Sequence, residues 1–273
     1  MSEAAVTLTD VSVHFGARTA LRDVTTTLDH GSVVGVLGPN GAGKSTLFSA
    51  ILGLIPHDGT IRADGPISFV PQGEHYQRDF PATPLDVALM GRYGARKWWQ
   101  RLSTEDRDRA RAALARMGMD EHAACRFGEL SGGQRQRTII ARALAQDRGT
   151  ILLDEPFTGV DPTSTSVIEE ALTAMAADGR CVVISTHDIP GAARLCDRVI
   201  LLNETIRADG PPAEVIAPDP LRRTYGPAMV ALGGPGSPVT MIDAGGHVCE
   251  HDGEIDHTAE HVHAEHHGVT EPR

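Results

Sequence analysis

One segment near the N-terminus limits what this chain can fold into. "SVVGVLG" (32–38) is a short, apolar and β-branched run that leads into "GPNGAGKS" (38–45), which fits G-x-x-x-x-G-K-[ST]. The next residues, "KSTLFSAILGL" (44–54), carry apolar side chains at helical spacing. Glycines in such a strand–loop–helix turn let successive backbone N–H groups converge on phosphate oxygens, and the helix N-terminus adds positive potential. The segment predicts a phosphate-binding loop beside a buried parallel strand; an ordinary glycine-rich turn is the alternative.

The side chains of this loop suit a nucleoside triphosphate with Mg²⁺. Lys44 would bring a mobile positive charge to the β- and γ-phosphates, and Ser45 would offer a hydroxyl to the metal. The chain has two lysines, Lys44 and Lys97, among many arginines, and one of them falls where a point charge on a flexible stem is needed. The loop residues expected to hold the triphosphate are Gly38, Pro39, Asn40, Gly41, Ala42, Gly43, Lys44, Ser45 and Thr46.

Further strand-like runs alternate with helical patterns along the chain. The strand-like runs are "PISFV" (66–70), "TILLD" (150–154), "CVVIS" (181–185) and "RVILL" (198–202). This alternation predicts an α/β fold with an open parallel sheet covered on both faces. The stretch from about 83 to 147 differs because it shows helix starts, at Thr83-Pro84 and Ser103, without strands. It predicts a helical insert. The pentapeptide "IRADG" occurs at 61–65 and 206–210, and both copies are expected in hairpin-and-turn pieces.

Adjacent carboxylates end the strand-like run at 150–154. Asp154 and Glu155 would lie at the carboxyl edge of the sheet, where ligands bind in such folds. Neighbouring strand residues point to opposite faces, so the two acids should have different roles. We assign Asp154 to Mg²⁺, through water, and Glu155 to polarising the attacking water. Taken alone, the pair could also be a solvated strand end.

Composition narrows the class of partner. The 273 residues suit one large α/β domain or a domain with an appendage, and the net charge of −11 is a poor match for nucleic acid. The four cysteines show no pairing rhythm, which indicates reduced thiols. The N-terminus lacks a signal-like apolar stretch, and no segment approaches the roughly 20 apolar residues of a membrane span. A role in a membrane process would therefore need another subunit.

A second glycine motif, "LSGGQRQR" (130–137), precedes "ILLDEP" by a short helical stretch and resembles the signature motif of ATP-binding cassette (ABC) proteins. "VHFG", "VPQ", "GVDP" and "STHD" are similar to the family's remaining elements, in order, over about residues 5–217. The resemblance implies a P-loop NTPase (RecA-like) core with a parallel sheet, an N-terminal antiparallel β part and an inserted helical subdomain. We expect an ATPase domain at 1–224, with its helical subdomain at about 83–147, and a flexible tail at 225–273.

The same resemblance implies how the second motif is used. Two cassettes pack head to tail, so Ser131, Gly132 and Gly133 would reach the ATP held by the facing chain. Gln72 would contact Mg²⁺ or the attacking water, and His187 the γ-phosphate. The remaining implied nucleotide-site residues are Phe15, Gln134 and Asp161. Phe15 would stack on adenine, at a position where the family more usually has tyrosine. Asp161 would contact the facing chain, and it lies in "GVD" where the family more commonly has "ALD".

Three classes of ABC protein compete, and transport is favoured. About 110 residues without sustained heptads separate the two nucleotide motifs, which is too little for the long coiled coil of a DNA-repair ABC ATPase. ABC translation factors carry two cassettes in one chain, whereas this chain has one of each motif. Residues 78–94 and 152–164 resemble the manganese/zinc/iron import branch. The resemblance implies a homodimer or cassette pair at the cytoplasmic face of the membrane, a permease and an extracytoplasmic substrate-binding protein. Iron-chelate or other small-solute transport, or a non-transport ABC ATPase, is the alternative.

Histidines interleave with carboxylates in the tail. Imidazole and carboxylate together suit Zn²⁺ and its first-row neighbours. His257 with His261, and His263 with His267, are i, i+4 pairs that could share a helix face. The tail is a candidate low-affinity metal buffer or sensor; a solvating acidic tail with incidental histidines is the alternative.

Overall fold

The computed structural model describes residues 3–73, 81–94 and 99–226. The chain opens with a three-stranded antiparallel sheet. Its strands are β1 (Ala4–Phe15), β2 (Arg18–Asp29) and β4 (Asp58–Ala63), in the order β2-β1-β4. β1 and β2 bury one set of alternating side chains and leave the other outside, as expected for a sheet with one covered face. The expected N-terminal antiparallel part is confirmed.

A six-stranded sheet forms the centre of the fold. Its strands are β3 (Ser32–Leu37), β5 (Ile67–Val70), β6 (Thr150–Asp154), β7 (Cys181–Thr186), β8 (Arg198–Asn203) and β9 (Thr205–Gly210). The order is β5-β6-β7-β3-β8-β9, and every pairing is parallel except the β8–β9 hairpin. β6 and β7 are buried along their whole lengths, which is typical of strands covered on both faces. The predicted parallel sheet is confirmed, with an antiparallel edge strand added.

The helices are α1 (Lys44–Ile51), α2 (Pro84–Tyr93), α3 (Thr104–Arg116), α4 (Gly132–Ala145), α5 (Pro162–Ala177), α6 (Ile189–Leu195), α7 (Pro212–Val215) and α8 (Pro218–Tyr225), with a 3₁₀ turn at Phe127–Glu129. α2, α3 and α4 pack on one another as the predicted helical insert. Thr83 and Ser103 cap α2 and α3 in reciprocal capping boxes, because each side chain accepts from the backbone N–H three residues on. The last described helix, α8, ends at Tyr225. The division of the chain at 224/225 stays a prediction.

Two apolar cores lie on opposite faces of the central sheet. Val182 of β7 faces the core shared with α4 and α5, and the next residue, Val183, faces the core shared with α1 and the antiparallel sheet. This alternation follows from the two-residue period of a strand. The sheet is therefore held rigid from both sides, and the loops at its carboxyl edge are fixed in place.

A buried ion pair joins the three helices of the insert. Arg92 of α2 donates from Nε to Asp106 Oδ1 of α3 at 3.0 Å, and from Nη1 to the Ala145 carbonyl of α4 at 2.8 Å. Asp106 is fully buried and also accepts from Ser103 at the start of α3.

Within the described ranges, no helix is both long and apolar enough to cross a bilayer.

Candidate functional site

The loop between β3 and α1 folds around its own lysine. Gly41 and Gly43 have φ of 81° and 100°, in the left-handed region that favours glycine. A Cβ on Gly38 would lie 2.1 Å from the Leu202 carbonyl oxygen, and one on Gly43 would lie 2.7 Å from the Ala20 oxygen. The glycines are therefore required by backbone conformation and by close approach, which explains their spacing in the motif.

Lys44 holds the loop in this shape. Its Nζ donates to the Gly38 carbonyl at 2.7 Å and to the Pro39 carbonyl at 3.2 Å. Burial lowers the pKa of Lys44, while the nearby carboxylates of Glu155 and Asp154 act in the opposite direction. The ammonium group is thus largely withdrawn from water and is bonded to neutral carbonyls, which an anionic ligand can replace.

A cavity of about 250 Å³ opens over the loop. Its lining residues are Phe15, Arg18, Ala20, Asn40, Gly41, Ala42, Gly43, Lys44, Ser45, Thr46, Gln72 and Glu155. The cavity joins the aromatic ring of Phe15, which is 53% exposed, to the cation and the amides of the loop. An aromatic face at one end and a phosphate cradle at the other match the shape of a nucleotide.

Asp154, the last residue of β6, and Glu155, which follows it, have different surroundings. Asp154 is 4% exposed, and its Oδ1 accepts from Ser185 Oγ of the neighbouring strand β7. Glu155 leaves the strand with φ of 48°, an uncommon conformation for a residue with a side chain. Its backbone N–H donates to Ser185 Oγ at 2.9 Å. Ser185 therefore fixes both acids, and the turn at Glu155 brings its side chain to the cavity.

Three polar side chains lie close to one carboxylate oxygen of Glu155. Gln72 Nε2 and Thr158 Oγ1 each donate to Glu155 Oε2 at 3.0 Å, and His187 Nδ1 lies 3.6 Å from it. The structure thus brings together three residues predicted to be catalytic, Gln72, Glu155 and His187, from separate parts of the chain. Thr158 joins them without having been predicted.

The second glycine motif starts α4 and lies on the first turn of α5. Ser131 caps α4 in a capping box with Gln134. A Cβ on Gly133 would lie 2.3 Å from Asp161 Oδ2 and 2.4 Å from Ser164 Oγ, so the two helix starts touch. Asp161 caps α5 by accepting from Ser164 N at 2.9 Å, and these hydrogen bonds lower the pKa of its carboxyl group. Among described residues, none from 131 to 134 lines the cavity.

Sequence reasoning missed several residues at this site. Arg18 and Ala20 line the cavity, Ser185 bonds to both acids, and Thr158 bonds to Glu155. A polar residue at the end of the strand next to β6 was the available signal for Ser185, because carboxyl ends of parallel strands meet at one edge. Within the described ranges there is no group of three or more potential metal ligands. The histidines predicted to bind metal at 257, 261, 263 and 267 lie outside those ranges.

A phosphate loop after a central parallel strand, with an acid pair ending a nearby strand, defines a P-loop nucleoside triphosphatase. The comparisons with known proteins specify the family. The ABC transporter family profile matches residues 21–158. The manganese transport system ATP-binding protein MntB of Halalkalibacterium halodurans is 38% identical over 228 residues, which cover 81% of this chain and 91% of that protein. The chain belongs to the ABC transporter family, whose cassettes bind and hydrolyse ATP.

Solved structures agree with this assignment. One is a metal-chelate type ABC transporter in an inward-facing conformation, with a TM-score of 0.75 and 29% identity over 81% of this chain and 89% of that chain. Another is a dimeric ATP-binding cassette in a post-hydrolysis state, bound to ADP and Pi. It has a TM-score of 0.65 and 29% identity, and the match covers 76% of this chain and 98% of that one. The predicted fold and family are confirmed.

Proposed function

We propose that this chain is the Mg²⁺-dependent ATPase subunit that energises import of a divalent metal ion, manganese, zinc or iron, through a separate permease at the cytoplasmic face of the membrane. The observation that supports it most is the division of the site: the cavity carries the phosphate loop and Glu155, whereas the signature serine lies elsewhere on the same chain. The metal class rests on the similarity to a manganese transport subunit.

The cavity fits ATP with its metal ion. Lys44 exchanges its bonds to the Gly38 and Pro39 carbonyls for phosphate oxygens, and Phe15 stacks on the base. The oxygen donors near the loop, the Ser45 hydroxyl and the Asp154 carboxylate, are the kind that Mg²⁺ prefers. Gln72 uses its amide nitrogen on Glu155, which leaves its amide oxygen for the metal. When bound, Mg²⁺ neutralises phosphate charge in the reaction.

Glu155 is the general base in this proposal. Gln72, Thr158 and His187 all meet Oε2, so Oε1 is the oxygen that takes the proton of the attacking water. A positioned general base contributes about 10²–10⁴ in rate. His187 is 65% exposed on its side chain and can leave Glu155 to meet the γ-phosphate. Its imidazole would then stabilise the charge that develops there.

The second half of each site comes from another copy of the chain. Ser131, Gly132 and Gly133 present a helix N-terminus and a hydroxyl, both of which attract anions. In a head-to-tail pair these groups would close on the γ-phosphate over the partner's phosphate loop. The dimeric cassette with ADP and Pi supports this arrangement. ATP would close the pair and product release would reopen it, which drives the permease; a substrate-binding protein would deliver the metal.

Two variants test the assignment of the site. Glu155→Gln should keep ATP binding, lower turnover by at least about 100-fold and accumulate a closed dimer, because the base is lost while the charge-binding groups stay. Lys44→Ala should weaken nucleotide binding itself, since a partly buried cation is removed. Isothermal titration with ATP and a steady-state phosphate-release assay separate the two effects. Normal turnover by Glu155→Gln would show that the base is misassigned.

The cargo is tested on the complex that co-purifies with this chain, reconstituted in liposomes with its substrate-binding protein. ATP-dependent uptake of ⁵⁴Mn²⁺ or ⁶⁵Zn²⁺, abolished by Glu155→Gln, supports metal-ion import. Uptake of an iron chelate without uptake of the free ions would favour the chelate alternative, to which the metal-chelate type transporter is a parallel. If the complex hydrolyses ATP but takes up neither the free ions nor the chelate, the ATPase assignment would stand and the proposed cargo would be wrong.

A further inference from the structure

His122 lies in a short loop between α3 and the 3₁₀ turn, and this loop is held by backbone hydrogen bonds. Leu85 N, in the first turn of α2, donates to the Ala123 carbonyl at 3.1 Å. His122 N donates to the Met119 carbonyl at 3.2 Å. The imidazole is therefore carried by a fixed piece of backbone beside the start of α4, and it is absent from the cavity described above.

A hydrogen-bond chain connects this imidazole to the signature motif. Ser131 N donates to Gln134 Oε1 at 2.9 Å, and a backbone N–H can only donate, so the amide oxygen of Gln134 must face Ser131. The amide nitrogen then faces His122, with Gln134 Nε2 and His122 Nε2 3.0 Å apart. Because the amide nitrogen is a donor, His122 Nε2 must be the acceptor.

The tautomer of His122 follows from this bond. With Nε2 accepting, the neutral ring carries its proton on Nδ1. Nδ1 is buried and has no hydrogen-bond partner in the part of the chain that the structure describes. Leaving a buried N–H unpaired costs free energy, so the ring would not adopt this tautomer without the bond to Gln134. The alternative tautomer would set an Nε2–H against the amide N–H of Gln134.

The chain ends on the hydroxyl of Ser131. Gln134 N donates to Ser131 Oγ at 3.2 Å, so the hydroxyl oxygen is used as an acceptor and its proton remains to be donated. With His122 on one side and the Ser131 backbone on the other, the Gln134 side chain cannot rotate without losing two hydrogen bonds. Gln134 therefore keeps the capping box closed, and the capping box sets the direction of the serine hydroxyl.

We infer that His122 is a positioning residue for the ATP-dependent dimer: as the neutral acceptor for Gln134, it holds the signature serine in the orientation that donates to the γ-phosphate of the partner's ATP. This inference rests on the proposed sandwich of nucleotide between two chains. His122 does not touch the nucleotide in its own cavity. Its loss should therefore weaken closure of the dimer and leave binding of nucleotide to the single chain unchanged.

Two variants of the full chain, made in a Glu155→Gln background, separate these effects. His122→Phe keeps a planar ring and removes the acceptor, whereas His122→Gln places an amide oxygen close to the position of Nε2. We expect His122→Phe to weaken ATP-dependent dimerisation in analytical ultracentrifugation by about fivefold or more, the loss typical of one hydrogen bond. His122→Gln should restore at least half of the dimerisation affinity that His122→Phe loses. ADP affinity by calorimetry should stay within about twofold in both, since the phosphate loop is untouched.

Equal dimerisation of His122→Phe and the parent would overturn the inference, as would a parallel loss of ADP affinity, which would indicate a general structural role. Absence of any ATP-dependent dimer in the Glu155→Gln parent would instead reject the proposed sandwich and this inference with it. A second measurement does not depend on how the variants fold. Imidazole ¹⁵N–¹H correlation spectra of the unmodified chain should show His122 protonated on Nδ1, and protonation on Nε2 would contradict the inferred bond.

Discussion

Gly133 should be the position in the signature motif that tolerates an added methyl group least. The Cβ of Gly133→Ala would lie 2.3 Å from Asp161 Oδ2, 2.4 Å from Ser164 Oγ and 2.8 Å from Ser164 Cβ. Ordinary contacts begin at 3.4 Å, so the Asp161 carboxylate and the Ser164 hydroxyl must turn away, and the start of α5 must move by about 0.6 Å to relieve the contact at Ser164 Cβ. The displaced atoms include the carboxylate that caps α5, so the cap bond from Ser164 N is stretched as well.

The expected cost follows from these contacts. Forcing a methyl group into a filled space costs about 1–3 kcal/mol, and alanine returns at most about 1 kcal/mol through its better helix propensity. We expect a net loss of about 1–2 kcal/mol in the free energy of unfolding, measured by urea titration followed by circular dichroism. The ATPase rate should also fall, because the shift moves the hydroxyl of Ser131 away from the position in which we propose that it meets the partner's phosphate.

Gly132→Ala is the matched control, one residue earlier in the same helix. Among the described residues its Cβ would meet only the Gly159 carbonyl oxygen, at 3.7 Å, which is an ordinary contact. Its stability should stay within about 0.5 kcal/mol of the parent. Equal stabilities of the two variants would refute the claim that the helix starts are in forced contact.

Two further predictions concern the interior. Arg92→Met should destabilise the chain by about 3–5 kcal/mol in urea unfolding, because it removes the guanidinium that pairs with the buried Asp106 and bonds the Ala145 carbonyl, and no loss would show that the pair is dispensable. Burial raises the pKa of Cys181 and of Cys196 from 9.0 to about 12. Groups with raised native pKa values contribute stability that is full below pH 9 and is lost as pH rises toward 12. The urea midpoint should thus fall above pH 9, and less so in Cys181→Ala; a flat profile from pH 8.5 to 10.5 would contradict this.

The sheet and the phosphate loop were predictable because each depends on local sequence. β3, β6 and β7 are continuous apolar runs, and the caps at Thr83 and Ser103 are local hydrogen-bond patterns. The edge strand β9 was not predicted, because its "IRADG" is polar and exposed at alternate positions. The sequence placed residues 206–210 in a hairpin-and-turn piece without assigning the strand, and they form one side of the β8–β9 hairpin. The turn is at Glu204, whose φ is 58°, and the partner strand β8 keeps residues 206–210 extended.

The site was predictable as a set of motifs and not as a set of contacts. The family resemblance pointed to Gln72 and His187, and the acid pair to Glu155, but only the fold shows that Gln72 and His187 both approach Glu155 Oε2. Ser185 and Thr158 lie in sequence segments where a role was assigned from the sequence only to a nearby residue. Their contributions come from strand register and from the turn at Glu155, which no local pattern specifies.

Mixing two inactive variants tests most directly whether each ATP site needs two chains. Lys44→Ala destroys the phosphate loop, and Ser131→Glu places a negative charge where the partner's γ-phosphate should lie. In a mixed dimer one site keeps both an intact loop and an intact signature, so an equal mixture should recover up to about a quarter of the parent ATPase rate. A mixture no more active than its two components would mean that one chain encloses its own ATP, which contradicts the account.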